Sequence, residues 1–387
     1  MTKRIYLDHN ATAPVRPEAA AAVAHALALT GNPSSVHAEG RAALALIEDA
    51  RTHVANLVGA KTNEVIFTSG GTEAANLALH LAKTSLGIER LIISAIEHDC
   101  VSAPALASEL PLDILLVDKN GVADLRVLET LLAKPGKALV ALMHANNETG
   151  VIQPVAEAAA LAHAAGALLL ADTVQTVGRL VVDMKALGAD MLLLSAHKIG
   201  GPQGAGALVI RAALPYEPFI RGGGQEKRRR AGTENVAGIA GFGVAARFAR
   251  DENMVADLRD YMEAELRKAV PDVLIFGEGA PRLSNTSLFA AQGLVSETLI
   301  VALDLDGLAV SAGSACSSGK VARSHVLSAM GVSDDLASAA IRVSIGRETT
   351  KKDIDHLVAS WTAYVKRAAQ KNNTNASASP ALAEAEH

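Results

Sequence analysis

The 387-residue sequence has two cysteines, Cys100 and Cys316, one tryptophan and only 3 % aromatic residues. Two thiols so far apart exclude a disulfide framework and a cysteine-rich zinc site. The setting expected from them is reducing and cytoplasmic. Neither charge is in excess. Lys and Arg number 36 against 41 Asp and Glu, a net charge of −5, with no basic face or stripe of the kind that marks nucleic-acid binding. The one basic run, KRRR at residues 227–230, reads as a solvated loop. No apolar stretch reaches the ~20 residues of a membrane span. Asp8 and His9 interrupt the amino-terminal apolar residues, which argues against a signal peptide. There is no internal repeat.

Half of the residues are hydrophobic, which suits a globular chain. With so few aromatics the core must be built from Ala, Leu, Val and Ile. The length suggests two or three domains. Seven short apolar runs recur: EVIFTS, RLIISA, LDILLVD, ALVALMH, ALLLAD, DMLLLSA and GALVIR. Helical segments such as EAANLALHLA and PVAEAAALAHAAG lie between most of them. That alternation predicts an α/β fold, a mostly parallel seven-stranded sheet with helices on both faces. The seventh run follows the sixth after a glycine turn too short for a crossover, so it should be antiparallel. After about Gly243 the character changes to a charged amphipathic helix and shorter strands. The expected division is a large α/β domain over 15–255 and a small α+β domain over 1–14 and 256–371. A disordered tail over 372–387 follows.

Ligands of open α/β sheets bind beyond the carboxyl ends of the strands. SGGT at residues 69–72 joins a strand to a helix, whose first amides suit a phosphate. His98 follows the second run. Asn146, Asn147 and Glu148 follow the fourth and could equally be turn residues. Asp172 ends the fifth, with Gln175 three residues on; a carboxylate leaving so apolar a strand needs a partner. Lys198 follows the sixth, after Ser195 and His197. A Walker loop fails for this lysine, because Ile199 follows it and its glycines come later. A dinucleotide fingerprint fails too, because GGPQGAG precedes a strand. A surface lysine and a covalent anchor remain. A strand-end lysine facing a strand-end aspartate, with a phosphate cup near, suits pyridoxal phosphate.

Nine stretches occur in order: YLDHNATAPVRPE, GNPSSVH, FTSGGTEAANLA, MHANNETGVIQP, ADTVQTVG, SAHKIGGPQGAGAL, RGGGQEKRRRAGT, SAGSACSSG and AIRVSIGR. Together they closely resemble the NifS/IscS-like cysteine desulfurases of the class-V aminotransferase family, over almost all but the carboxyl-terminal tail. The resemblance implies a fold-type I, pyridoxal-phosphate-dependent homodimer with the reactive cysteine loop in the small domain. It implies that Lys198 bonds the cofactor covalently, His98 stacks on its ring and assists proton transfer, Asp172 pairs with the ring nitrogen and Gln175 bonds the phenolic oxygen. Gly71, Thr72, Ser195 and His197 match phosphate contacts, and Thr233 matches a residue reaching the phosphate from the neighbouring subunit. Asn147 matches a residue near the ring and substrate carboxylate, Arg342 the arginine gripping that carboxylate, and Asn32 lies in a stretch lining the pocket.

Cys316 matches the persulfide-forming cysteine. Its small neighbours suit a mobile mount that carries sulfur outward. The implied reaction converts L-cysteine to L-alanine and passes the sulfur to an acceptor protein such as an iron–sulfur scaffold. No intrinsic metal, nucleic acid or membrane is expected, although Cys316 could transiently contact an iron–sulfur cluster on a partner. Alternative readings are a selenocysteine lyase, another class-V enzyme, or a scaffold that has lost the chemistry. Two features depart from the family pattern. The basic run is stronger than expected, and Cys100, two residues after His98, reads as a small buried hydrophobe.

Overall fold

The computed structural model of the chain describes residues 4–249, 255–312 and 323–378. After a short strand β1 (Ile5–Tyr6) come the seven strands of the main sheet. They are β2 (Val65–Thr68), β3 (Arg90–Ser94), β4 (Leu112–Leu115), β5 (Ala138–Ala141), β6 (Leu168–Asp172), β7 (Met191–Ser195) and β8 (Gly206–Ile210). Each coincides with one of the seven apolar runs. Their spatial order is β2-β8-β7-β6-β5-β3-β4. Neighbours from β7 to β4 pair in parallel, while β8 is antiparallel to both β7 and β2. The short glycine turn before β8 therefore predicted its direction correctly.

The near-continuous apolar strands are explained by helices on both faces. Side chains alternate across a strand with a period of two. Val65, Phe67, Val140, Leu169, Leu192 and Val209 enter one core. Ile66, Leu139, Leu170, Leu193 and Leu208, their neighbours, enter the other. The outer edge of β2 is closed by side chains. Arg51 and Arg229 donate to the Val65 carbonyl, and the Phe67 amide donates to Glu226. This covers an edge that would otherwise invite pairing. It also immobilises the strand that leads into residues 69–72.

A second core surrounds Trp361 and Phe289, whose rings meet edge to face at 5.4 Å. Strands β9 (Leu274–Ile275), β10 (Thr286–Ala290), β12 (Ser311–Ala312) and β13 (Ile341–Ser344) form an antiparallel sheet there, in the order β12-β13-β10-β9. Strand β11 (Leu308–Ala309) pairs with β1 in parallel. Ile96 and Met143, just past the carboxyl ends of β3 and β5, belong to this second core. It therefore sits against the end of the main sheet where a ligand is expected. The segment after β1 links the two bodies, since Ser344 N–H donates to Leu7 O and Ala13 N–H to His197 O.

Two expectations need correction. The last helix, Lys351–Ala378, continues past residue 372, so the first seven residues of the expected disordered tail are helical. The basic run is more than a solvated loop. Arg230 pairs with Glu73 at 2.9 Å, and Arg229 donates to Asn63 O and Val65 O. Ser69 N–H donates to the same Glu73 carboxylate, so the run braces the turn before the helix Gly71–Thr84.

Candidate active site

Beyond the carboxyl ends of the parallel strands lies a cleft of about 280 Å³, near the lower end of small-molecule sites (~300–1,000 Å³). Nine sequence-predicted residues line it: Gly71, Thr72, His98, Asn147, Asp172, Gln175, Ser195, His197 and Lys198. The strands bring them together. Asp172 and Ser195 are the last residues of adjacent strands, β6 and β7, and Lys198 ends the single 3-10 turn after β7. Gly71 opens the helix after β2, where first-turn amides lack intrahelical acceptors and favour an anion. A Cβ on Gly206 of β8 would fall 2.6 Å from the Gly70 Cα. Only glycine permits that approach, which brings the turn against the sheet.

Asp172 is 6 % exposed, and its Oδ1 accepts the Val174 amide at 2.9 Å. Among the described residues, its Oδ2 meets only the Cys100 thiol, at 4.0 Å. Burial raises the carboxyl above the usual carboxylate range, while the Val174 bond and the charges of His98 and Lys198 act the other way. Such a group is poised for a cationic partner from the cleft. Lys198 Nζ donates to the backbone oxygens of Asn10 and Ala11, the latter at 2.9 Å. His98 caps the helix Asp99–Ala107, with Nδ1 accepting the Cys100 amide at 3.1 Å. Burial lowers its imidazole below the ordinary value, against the pull of Asp172. A neutral ring accepting at Nδ1 carries its proton on Nε2. His197 is held by Thr12 Oγ1 at 2.6 Å from Nδ1, and burial lowers its value to about 4, with Lys198 adding to the effect.

Arg342 on β13 stands beside the cleft rather than in its wall. Its Nη2 donates to Asp8 Oδ1 at 2.7 Å and its Nη1 to Asn147 O at 3.1 Å. Its Nε is buried without a partner among the described residues. Gln175 Nε2 donates to Asn10 O at 3.1 Å, and its Oε1 accepts from Arg179 at 2.6 Å. The arrangement offers an anion cup, a buried carboxylate, an amine and an arginine at one strand-end cleft.

The class-V aminotransferase family model matches residues 5–357. The chain belongs to this family. Among its relatives, the cysteine desulfurase IscS of Dictyoglomus turgidum is 41 % identical over 367 residues, covering 92 % of this chain and 93 % of its own. A NifS-like protein from Rickettsia africae superposes with a TM-score of 0.86 at 35 % identity, covering 94 % of this chain and 99 % of the other. SspA, solved in complex with cysteine, gives 0.78 at 28 % identity, covering 89 % and 99 %.

Two predicted residues fall elsewhere. Thr233 and Asn32 are exposed and outside the cleft wall, and Asn32 Oδ1 accepts the Ser34 amide. Cys316 lies outside the described residues. The sequence assigns no role to the segment from Asp8 to Thr12, yet it supplies acceptors to Lys198 and Gln175, the partner of His197 and the carboxylate on Arg342. The signal was the run of small and polar residues DHNAT directly after a strand.

Proposed function

We infer that this protein is a pyridoxal-phosphate-dependent cysteine desulfurase, converting L-cysteine to L-alanine with the sulfur retained as an enzyme persulfide. The observation that carries this reading is the meeting of Asp172, Lys198, His98 and the start of the helix Gly71–Thr84 at one cleft, in a chain so similar to cysteine desulfurases. The residues fit the cofactor. Asp172 Oδ2 lacks an N–H or O–H donor among the described residues, which a protonated ring nitrogen would provide. Gly71 leaves the anion cup open, since a Cβ there would reach 3.2 Å from Val174 Cγ2 and 3.7 Å from Ser195 Cβ.

Asp172, Gln175 and His98 would hold the ring, Lys198 its aldehyde carbon, and Gly71, Thr72, Ser195 and His197 the phosphate. Thr233, exposed in one chain, would act from a second copy, and Asn32 would line the completed pocket. When bound, pyridoxal phosphate supplies an electron sink for charge developing at the substrate α-carbon. The Arg342 guanidinium, with Asn147 beside it, would receive the substrate carboxylate. Lys198 Nζ, as free amine, would take the α-proton, and His98 would pass a proton through Nε2. The Cys316 thiolate would attack the substrate sulfur. The S–S bond forms as the C–S bond breaks, the electron pair stays with carbon, and protonation releases L-alanine. The balance is one L-cysteine and one thiol giving one L-alanine and one persulfide.

The site residues, the homodimer, a cytoplasmic setting and a sulfur-acceptor protein such as an iron–sulfur scaffold belong to the same proposal. So does the division into a large domain over 15–255 and a small one over 1–14 and 256–371, which carries the cysteine loop. No helix among the described residues is long and apolar enough to cross a membrane. The test is Cys316→Ala. It should keep the visible absorbance of the bound cofactor and lose sulfide release from L-cysteine, whereas release at the wild-type rate refutes the nucleophile.

A further inference from the structure

Cys100 has no part in the reaction just described, yet its contacts are specific. Its amide donates to His98 Nδ1 at 3.1 Å, and its Sγ stands 4.0 Å from Asp172 Oδ2. The residue lines the cleft while only 8 % exposed. It thus touches two of the three residues that would hold the cofactor ring, His98 and Asp172. Asp172 Oδ1 is occupied by the Val174 amide, so the thiol is the one donor that Oδ2 has among the described residues. Resting on the reading of the cleft as a pyridoxal-phosphate site, we propose that Cys100 is a positioning residue for Asp172. Its Sγ–H donates to Oδ2 and fixes the orientation in which that carboxylate meets the ring nitrogen.

The charge environment keeps the donor in place. Asp172, Glu97, His98, Asp99 and Lys198 face the thiol. Burial raises it far above its ordinary value, the carboxylates of Asp172, Glu97 and Asp99 add to the shift, and Lys198 opposes them. A thiol held protonated is a constant, weak donor. It is also a poor nucleophile, so a second cysteine at the cleft does not compete with Cys316 for the substrate sulfur.

The test compares Cys100→Ala and Cys100→Ser with the wild type, each stripped of cofactor and titrated with pyridoxal phosphate. Loss of the donor should weaken cofactor binding about two- to tenfold, the worth of one hydrogen bond. It should also move the pH midpoint of the cofactor's visible band. The serine variant, whose hydroxyl is set farther from Oδ2 than the thiol at 4.0 Å, should recover only part of both effects. A purely structural role would lower thermal stability and leave that midpoint unmoved. Variants that match the wild type in affinity and midpoint overturn the proposal alone. A wild type that takes up no pyridoxal phosphate overturns the cofactor reading beneath it as well. Should the alanine variant fail to fold, Cys316→Ala decides, because it leaves Cys100 as the sole thiol. With cofactor bound, iodoacetamide at pH 8 should label it at least about 100-fold more slowly than free cysteine. Labelling at the free-cysteine rate refutes the protonated donor.

Discussion

Replacing Asp172 with asparagine should move two free energies in opposite senses. The amide oxygen of Asn can still accept the Val174 N–H that Asp172 Oδ1 accepts at 2.9 Å, so the turn after β6 should survive. What disappears is a charge buried to all but 6 % of the residue. Without cofactor that charge is unfavourable, as the raised carboxyl value shows. The folded state binds this proton more tightly than the unfolded chain. Its contribution is therefore present below the unfolded value near ~4 and is lost as pH rises through the folded value. Cofactor-free Asp172→Asn should be at least as stable as the wild type at pH 7, with a shallower loss of stability above pH ~4. Cofactor binding should weaken, because a charge-assisted hydrogen bond is lost. At about 1.5–3 kcal/mol, the dissociation constant should rise roughly 10- to 150-fold. Urea unfolding of the cofactor-free protein and absorbance titration with pyridoxal phosphate measure the two terms separately. Unchanged affinity, or a cofactor-free variant less stable by ~2 kcal/mol or more, an ordinary destabilising loss, would refute the reasoning.

Other outcomes follow from the same contacts. Arg51 and Glu226 form a buried bidentate pair, both bonds 2.8 Å, so Arg51→Ala should cost about 3–5 kcal/mol in urea unfolding. Replacing both partners with methionine should cost less, because no charge is stranded. Trp361 is fully buried and its Nε1 has no partner among the described residues. Trp361→Ala should therefore lose about 3–5 kcal/mol, while Trp361→Phe, which removes the orphaned donor, should lose much less. Burial lowers His144 to about 4. Its contribution to stability is present above the unfolded value of ~6.5 and is lost as pH falls toward the folded one. His144→Gln should flatten the acid limb of the stability curve.

Six strands of the main sheet were legible because they are buried on both faces and so read as continuous apolar runs, while the edge strand β4 is partly exposed and is marked only by Leu112, Ile114 and Leu115. Asp172, Ser195 and Lys198 were legible for a related reason, as polar residues placed just where such runs stop. The segment from Asp8 to Thr12 was not. It reaches the cleft because β1 pairs with β11, Ile5 opposite Leu308, a contact some 300 residues away that no local pattern announces. Glu97 escaped notice for another reason. It sits beside the conspicuous His98, and only the fold reveals a carboxyl 1 % exposed, raised to about 8 by burial and the charge of Asp172, with Oε1 on the Met143 amide. The role of the basic run was hidden because its partners, Glu73, Asn63 and Val65, are 157 to 166 residues earlier. The carboxyl-terminal helix outran its expected end because low complexity at residues 372–378 does not prevent continuation of a helix already anchored by Trp361 and its neighbours.

A covalent bond between Lys198 Nζ and the cofactor aldehyde underlies the proposed reaction. Borohydride reduction of the reconstituted protein, followed by peptide mapping, tests it most directly. A single reduced pyridoxyl group on Lys198, in the peptide containing SAHKIGG, is the predicted result. An adduct on another lysine, or none in protein that shows the visible band, would contradict it.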